Sequence, residues 1–138
     1  MKSKKGFTLI ELLAVIVILA IIAVIATPII TGIIEDAKKS AAADSAYGAL
    51  DSVRNYYSST MLTDPTQTLP ITVDFANGNT SGEVQGSSIK MSGTRPTSGK
   101  VTLNADGTFT ITPVSGKNGL VVSNYDCKYQ SEKFTCTK

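Results

Sequence analysis

The chain has 138 residues, 13 of them basic and 11 acidic, and it contains neither histidine nor tryptophan. Histidine is the commonest general base and metal ligand, and two cysteines alone do not complete a structural zinc site, so the inventory argues against an enzyme and implies no cofactor. Lys2, Lys4 and Lys5 carry the basic excess, so a chain that loses its first residues no longer has the charge expected of a nucleic-acid binder.

Met1 to Gly6 is short and basic. From Phe7 to Ile34 the chain is almost wholly apolar, interrupted only by Thr8, Glu11, Thr27, Pro28, Thr31 and Gly32. As a helix this segment would be about 42 Å long, more than the roughly 30 Å of a bilayer's hydrocarbon core. Leu12 to Ala26 is apolar without a break, and a helix apolar on every side must be buried in lipid or in other protein. The lysines ahead of it favour a cytoplasmic N-terminus and a single crossing.

Glu35, Asp36, Lys38 and Lys39 mark the return to water. Ala43, Ala46, Leu50, Val53, Tyr57 and Met61 then recur at threes and fours, the stripe of an amphipathic helix. Gly48 is tolerable inside it at about 1 kcal/mol. One near-continuous helix over residues 8–60 is predicted, with its first half apolar all round and its second half apolar on one side. Ser58 to Pro70 reads as a loop. Short strands are predicted at Ile71–Phe75, Ser88–Met91, Val101–Leu103, Phe109–Ile111, Leu120–Val122 and within Tyr125–Thr137. Asn104-Ala-Asp-Gly107 is a hairpin turn signal. The fold class is α+β: a long helix whose stripe supplies the second layer for a small antiparallel sheet. The domains read as a leader at 1–6, a membrane or filament-core helix at 7–34, its amphipathic continuation at 35–60 and a β head at 61–138. Cys127 and Cys136 read as a disulfide clamping a terminal hairpin in an exported chain, the alternative being two buried thiols. A loop that short contributes about 2.5–3 kcal/mol in the chain-entropy model.

The residues that bear on function are Lys4-Lys5-Gly6-Phe7-Thr8-Leu9-Ile10-Glu11-Leu12. An acidic residue near the centre of a membrane helix costs roughly 2.5–3.5 kcal/mol, less near an end. An ionisable group there calls for a role and a named partner. A cut after Gly6 would place a new amine on Phe7, one helical turn from Glu11. Glu11 of one copy meeting the amine of the next would penalise wrong registers and act as an axial ruler.

This run resembles the prepilin signature of type IV pilins and type II secretion pseudopilins, and its short leader and Phe7 resemble the type IVa class. The resemblance is close over residues 4 to about 34. It implies a pilin fold with a long helix, a small sheet and a C-terminal disulfide loop. It implies cleavage between Gly6 and Phe7 by a prepilin peptidase, N-methylation of Phe7 and filament assembly through Glu11 and Phe7. Pro28 matches the helix proline of the family, and with Gly32 marks where the helix kinks or loosens; Pro28 frees the carbonyl of Val24. Many type IVa pilins carry glycine where this chain has Ala20, and some relatives carry aromatics where it has Ile30 and Ile33, so conduction along stacked rings is not expected. The implied partners are further copies in a helical homopolymer, the peptidase, an inner-membrane platform, an ATPase motor and membrane lipid before assembly. The precursor is expected in the inner membrane and the product in an extracellular filament. Ala14, Ala20, Ala23, Ala26 and Gly32 are small enough for close helix approach.

Other readings compete. An ordinary signal peptide cut after Val24-Ile25-Ala26 would release a soluble secreted domain, but Pro28, Glu11 and the Gly6-Phe7 pair are unexplained by it. An unprocessed single-pass anchor is a further alternative. Asn104, Asp106 and Gly107 faintly resemble part of a calcium loop, which a hairpin turn explains with fewer assumptions. Lys90, Arg95, Lys100 and Lys117, with Tyr125 and Tyr129, would form a weak basic face for nucleic acid. Within the family, the choice lies between a pilus subunit and a pseudopilin of type II secretion or DNA-uptake machinery.

Overall fold

A computed structural model describes residues 6–76, 84–114 and 116–138; of the leader expected at 1–6, all but Gly6 lies outside these. The described chain forms one helix, α1 (Leu9–Thr63), and seven strands: β1 (Ile71–Asp74), β2 (Val84–Gln85), β3 (Lys100–Leu103), β4 (Phe109–Thr112), β5 (Leu120–Val122), β6 (Tyr125–Gln130) and β7 (Lys133–Thr137). By contacts the chain divides into two units, Met1–Ala37 and Lys38–Lys138.

The first unit is helix without an internal core. Leu12, Ile18, Ile25 and Ile33 are all more than half exposed. The helix is long and apolar enough to cross a membrane, and none of its most apolar window is buried. Pro28 lies inside it. The adjacent threonines bond the backbone locally: Thr27 donates to the Ala23 carbonyl at 2.7 Å and Thr31 to that of Pro28 at 3.0 Å.

The second unit has a core made where residues 42–53 of α1 meet two sheets. Ala42, Ala46, Ala49, Leu50 and Val53 are buried with Val73, Val101, Leu103, Leu120, Val122 and Phe134. Ala46, Leu50 and Val53 occupy the predicted stripe, whereas Ala43, Tyr57 and Met61 are only partly buried. The buried face instead takes in Ser45, Ala49 and Ser52. Small residues are needed there because the 90–94 segment crosses the helix at short range. A Cβ added at Gly48 would stand 2.6 Å from the Ser92 carbonyl oxygen. Ser45 stays satisfied by donating to the Ala41 carbonyl at 2.9 Å and accepting from the Thr94 amide at 3.2 Å.

The helix also runs further than predicted. Ser58, Ser59, Thr60 and Thr63 do not break it, because each hydroxyl donates to a carbonyl three or four residues back. It ends before Pro65, which disfavours helical geometry at Asp64. The Asp64 carboxylate then accepts the Thr66 amide and hydroxyl, and these bonds hold its pKa below the ordinary value.

The head holds two sheets rather than the single antiparallel one expected. The first has the order β2-β1-β3-β4, with β1 parallel to β2 and antiparallel to β3. The second is an antiparallel β5-β6-β7 meander. Between them, Ser98 bridges to Val121. The β3–β4 hairpin turns at Asn104–Gly107 as predicted; Gly107 has a φ of 83°, which glycine adopts without strain. The strand expected at Ser88–Met91 is absent. Residues Gly86–Ser88 form a short 3-10 turn instead, followed by buried Ile89. Gly86 packs under the Phe75 ring, where a Cβ would come within 2.5 Å of Cδ1.

Candidate assembly site

The functional residues named from the sequence fall in separate places. Gly6 and Phe7 precede α1 and are exposed, Phe7 by 88%. Glu11 lies in the first turn of the helix. Pro28 and Gly32 lie in the exposed apolar part of α1. Cys127 and Cys136 are disulfide-bonded at directly opposed positions of β6 and β7, near the other end of the chain.

The geometry around Glu11 explains how an acidic residue is accommodated at the start of an apolar helix. The first amides of any helix lack intrahelical acceptors. Here Glu11 Oε2 accepts the Thr8 amide at 2.8 Å and the Thr8 hydroxyl at 2.7 Å. The Thr8 hydroxyl oxygen in turn accepts the Glu11 amide at 3.3 Å. This reciprocal arrangement is a capping box, in which a threonine N-cap and a glutamate three residues on satisfy each other's amides. The carboxylate also sits at the positive end of the helix dipole. Thr8 was not singled out as a site residue from the sequence, although Thr-Leu-Ile-Glu carries the capping-box spacing that could have revealed it. Both of these bonds use Oε2. Among the described residues Oε1 accepts no hydrogen bond.

Three other groups weighed from the sequence, Asp106, Arg95 and Lys100, are held within the head. Asp106 Oδ1 accepts the Thr108 amide and hydroxyl, which lower its pKa, so this residue shapes the hairpin turn. Arg95 donates to the Ile89 carbonyl at 3.0 Å, and Lys100 pairs with buried Asp74 at 3.5 Å. These two bases of the proposed nucleic-acid face thus hold loops and strands in place.

The exposed apolar stretch of the helix, its capped glutamate and the small disulfide-closed head together define a class: an α+β protein whose N-terminal helix is long and apolar enough to cross a membrane. Residues 1–27 match the family model described as the prokaryotic N-terminal methylation motif, which is the type IV prepilin signature. With the α+β fold and the Cys127–Cys136 disulfide, this match supports the chain as a pilin or pseudopilin. No match to the chain was found among the curated proteins or the solved structures.

Proposed function

We propose that the chain is the structural subunit of a type IV pilus. A prepilin peptidase trims it between Gly6 and Phe7, the new amine on Phe7 is methylated, and copies polymerise through the N-terminal helix into a surface filament. Before assembly the helix spans the inner membrane with its basic leader in the cytoplasm, and a platform protein and ATPase motor drive its extraction.

The observation that carries this reading is an apolar helix, exposed on every side, that begins with a capped carboxylate one turn from the scissile position. The apolar surface of residues 12–26 leaves lipid only if other copies cover it. In the polymer, Oε1 of Glu11 meets the amine of a neighbour's Phe7 while Oε2 keeps the Thr8 cap. A misregistered copy buries that charge without a partner, which is expensive in low dielectric.

Two substitutions separate the charge from the cap. Glu11→Gln keeps a capping side chain but loses the charge; Glu11→Leu loses both. Both variants are expected to insert and be trimmed, as read by membrane fractionation and intact mass, and both are expected to lose surface filament. Full filament yield from Glu11→Gln would contradict the charge-pairing mechanism. The pseudopilin reading is distinguished by imaging: long surface filaments at native expression support the pilus, and their absence with a secretion or DNA-uptake defect supports the pseudopilin.

A further inference from the structure

The head carries two grooves of opposite charge, one on each flank of the amphipathic part of α1. The first, about 730 Å³, is walled by Asp51 and Arg54 of the helix, by Asp106 and Phe109 of the β3–β4 hairpin and by Tyr129 and Glu132 of the β6–β7 hairpin. It gathers three carboxylates against one guanidinium, and that guanidinium already lies over the Phe109 ring at 5.0 Å. The second, about 360 Å³, is lined by Lys38, Ala41, Asn124, Tyr125 and Lys138 among others, and none of its lining side chains is acidic. Counting side chains, the first groove has two more carboxylates than cations and the second has two ammonium groups and no carboxylate.

Helical geometry fixes how the grooves are disposed. At about 100° per residue, Tyr47, Asp51 and Arg54 lie on one side of the buried stripe of Ala42, Ala46, Ala49 and Val53, and Lys38 and Ala41 lie on the other. Lys38 and Asp51 are about 20 Å apart along the helix axis. Complementary patches displaced along an axis and facing opposite ways do not pair in a closed two-fold dimer. They suit a heterologous, head-to-tail contact, which repeats without closing when its rotation does not complete a ring.

We propose that the acidic groove of one head receives the basic Lys38–Lys138 edge of the next copy, so that the heads carry a second, electrostatic register for the polymer. This rests on the filament reading above. The aromatic rings of Tyr47, Phe109 and Tyr129 give the groove an apolar floor for the lysine stems, and its carboxylates meet the ammonium heads. Such contacts favour correct partners and suppress wrong ones, because a like-charge edge is repelled.

The test uses filaments of the full chain assembled from a mixture of isotopically light and heavy copies, treated with a zero-length carbodiimide cross-linker. Mixed-isotope cross-linked peptides joining Lys38 or Lys138 to Asp51, Asp106 or Glu132 are expected. In parallel, Asp51→Lys or Lys38→Glu alone is expected to lower filament yield about fivefold, the scale of losing one exposed ion pair and gaining a repulsion. The double variant is expected to recover most of it. Both substituted residues, Asp51 and Lys38, are exposed, so thermal melting of each variant checks that the fold is retained. Filaments whose inter-copy cross-links join other surfaces, or a double variant no better than the singles, would overturn this contact while leaving the filament reading intact. Failure of the unmodified chain to form any filament would overturn both.

Discussion

The two units of this chain solve the hydrophobic problem in opposite ways. In Lys38–Lys138, apolar residues are scarce, but they are placed so that helix and sheets cover one another; Val53, Val73, Val101 and Leu120 have essentially no exposure. In Met1–Ala37, apolar residues are nearly continuous, yet Ile18, Ile22 and Ile25 remain more than half exposed. One region satisfies its sequence internally, and the other is completed only by lipid or by more protein. The contrast locates stability in the head, and the proposed function puts assembly in the N-terminal helix.

The largest effect on the head is expected from its disulfide. Cys127→Ser with Cys136→Ser removes a short covalent loop and is expected to lower head stability by about 2.5–3 kcal/mol. Denaturant unfolding of the oxidised wild type against the double variant measures it. An unchanged midpoint would mean that the β6–β7 hairpin holds without its clamp.

The contrast between the units is sharpened by a matched pair of truncations. Val53→Ala deletes methyl groups from a site with no exposure and is expected to cost about 2 kcal/mol. Ile18→Ala removes more side chain from a position that is 57% exposed in the single chain. It is expected to leave the head's melting temperature unchanged and to lower filament yield. If Ile18→Ala destabilises the head as much as Val53→Ala does, the division into two regimes is wrong.

A smaller effect, of opposite sign, is expected at the β6–β7 turn. Ser131 and Glu132 both have positive φ, 50° and 61°, in a two-residue hairpin loop where asparagine and glycine are favoured. Glu132→Gly is expected to stabilise the head by about 1 kcal/mol through relief of left-handed strain. The same change removes a carboxylate from the acidic groove, so more stable heads and poorer filaments are expected together. Calorimetry of the head and filament yield from the same variant check both halves of that expectation.

Much of this architecture was readable before any coordinates. Uninterrupted apolar residues from Leu12 to Ala26 predicted a helix with no internal partner, and Asn104–Gly107 predicted the β3–β4 turn. The cysteines predicted the clamp on the last hairpin. What escaped sequence reading was decided by tertiary contacts. The parallel pairing of Val73 with Val84 is non-local and leaves no periodic trace. Ser45 and Ser52 look polar in a linear pattern, but the crossing 90–94 segment demands small residues and supplies a bond to Ser45. The serines and threonines near residue 60 look like loop formers, yet helical carbonyls satisfied them. At the candidate site the carboxylate of Glu11 was legible because a charge in an apolar run demands explanation. Its partner Thr8 stands out less, because a hydroxyl at the start of a helix is ordinary and only its spacing to Glu11 marks it. The charged grooves were not legible at all, since Asp51, Asp106 and Glu132 come from three distant segments that only the fold brings together.

Intact-mass measurement of the chain recovered from the cell surface tests the central assignment most directly. The expected product lacks Met1 through Gly6, begins at Phe7 and carries one added methyl group on its N-terminal amine. A product beginning at Thr27, or one retaining Met1, would contradict the assignment.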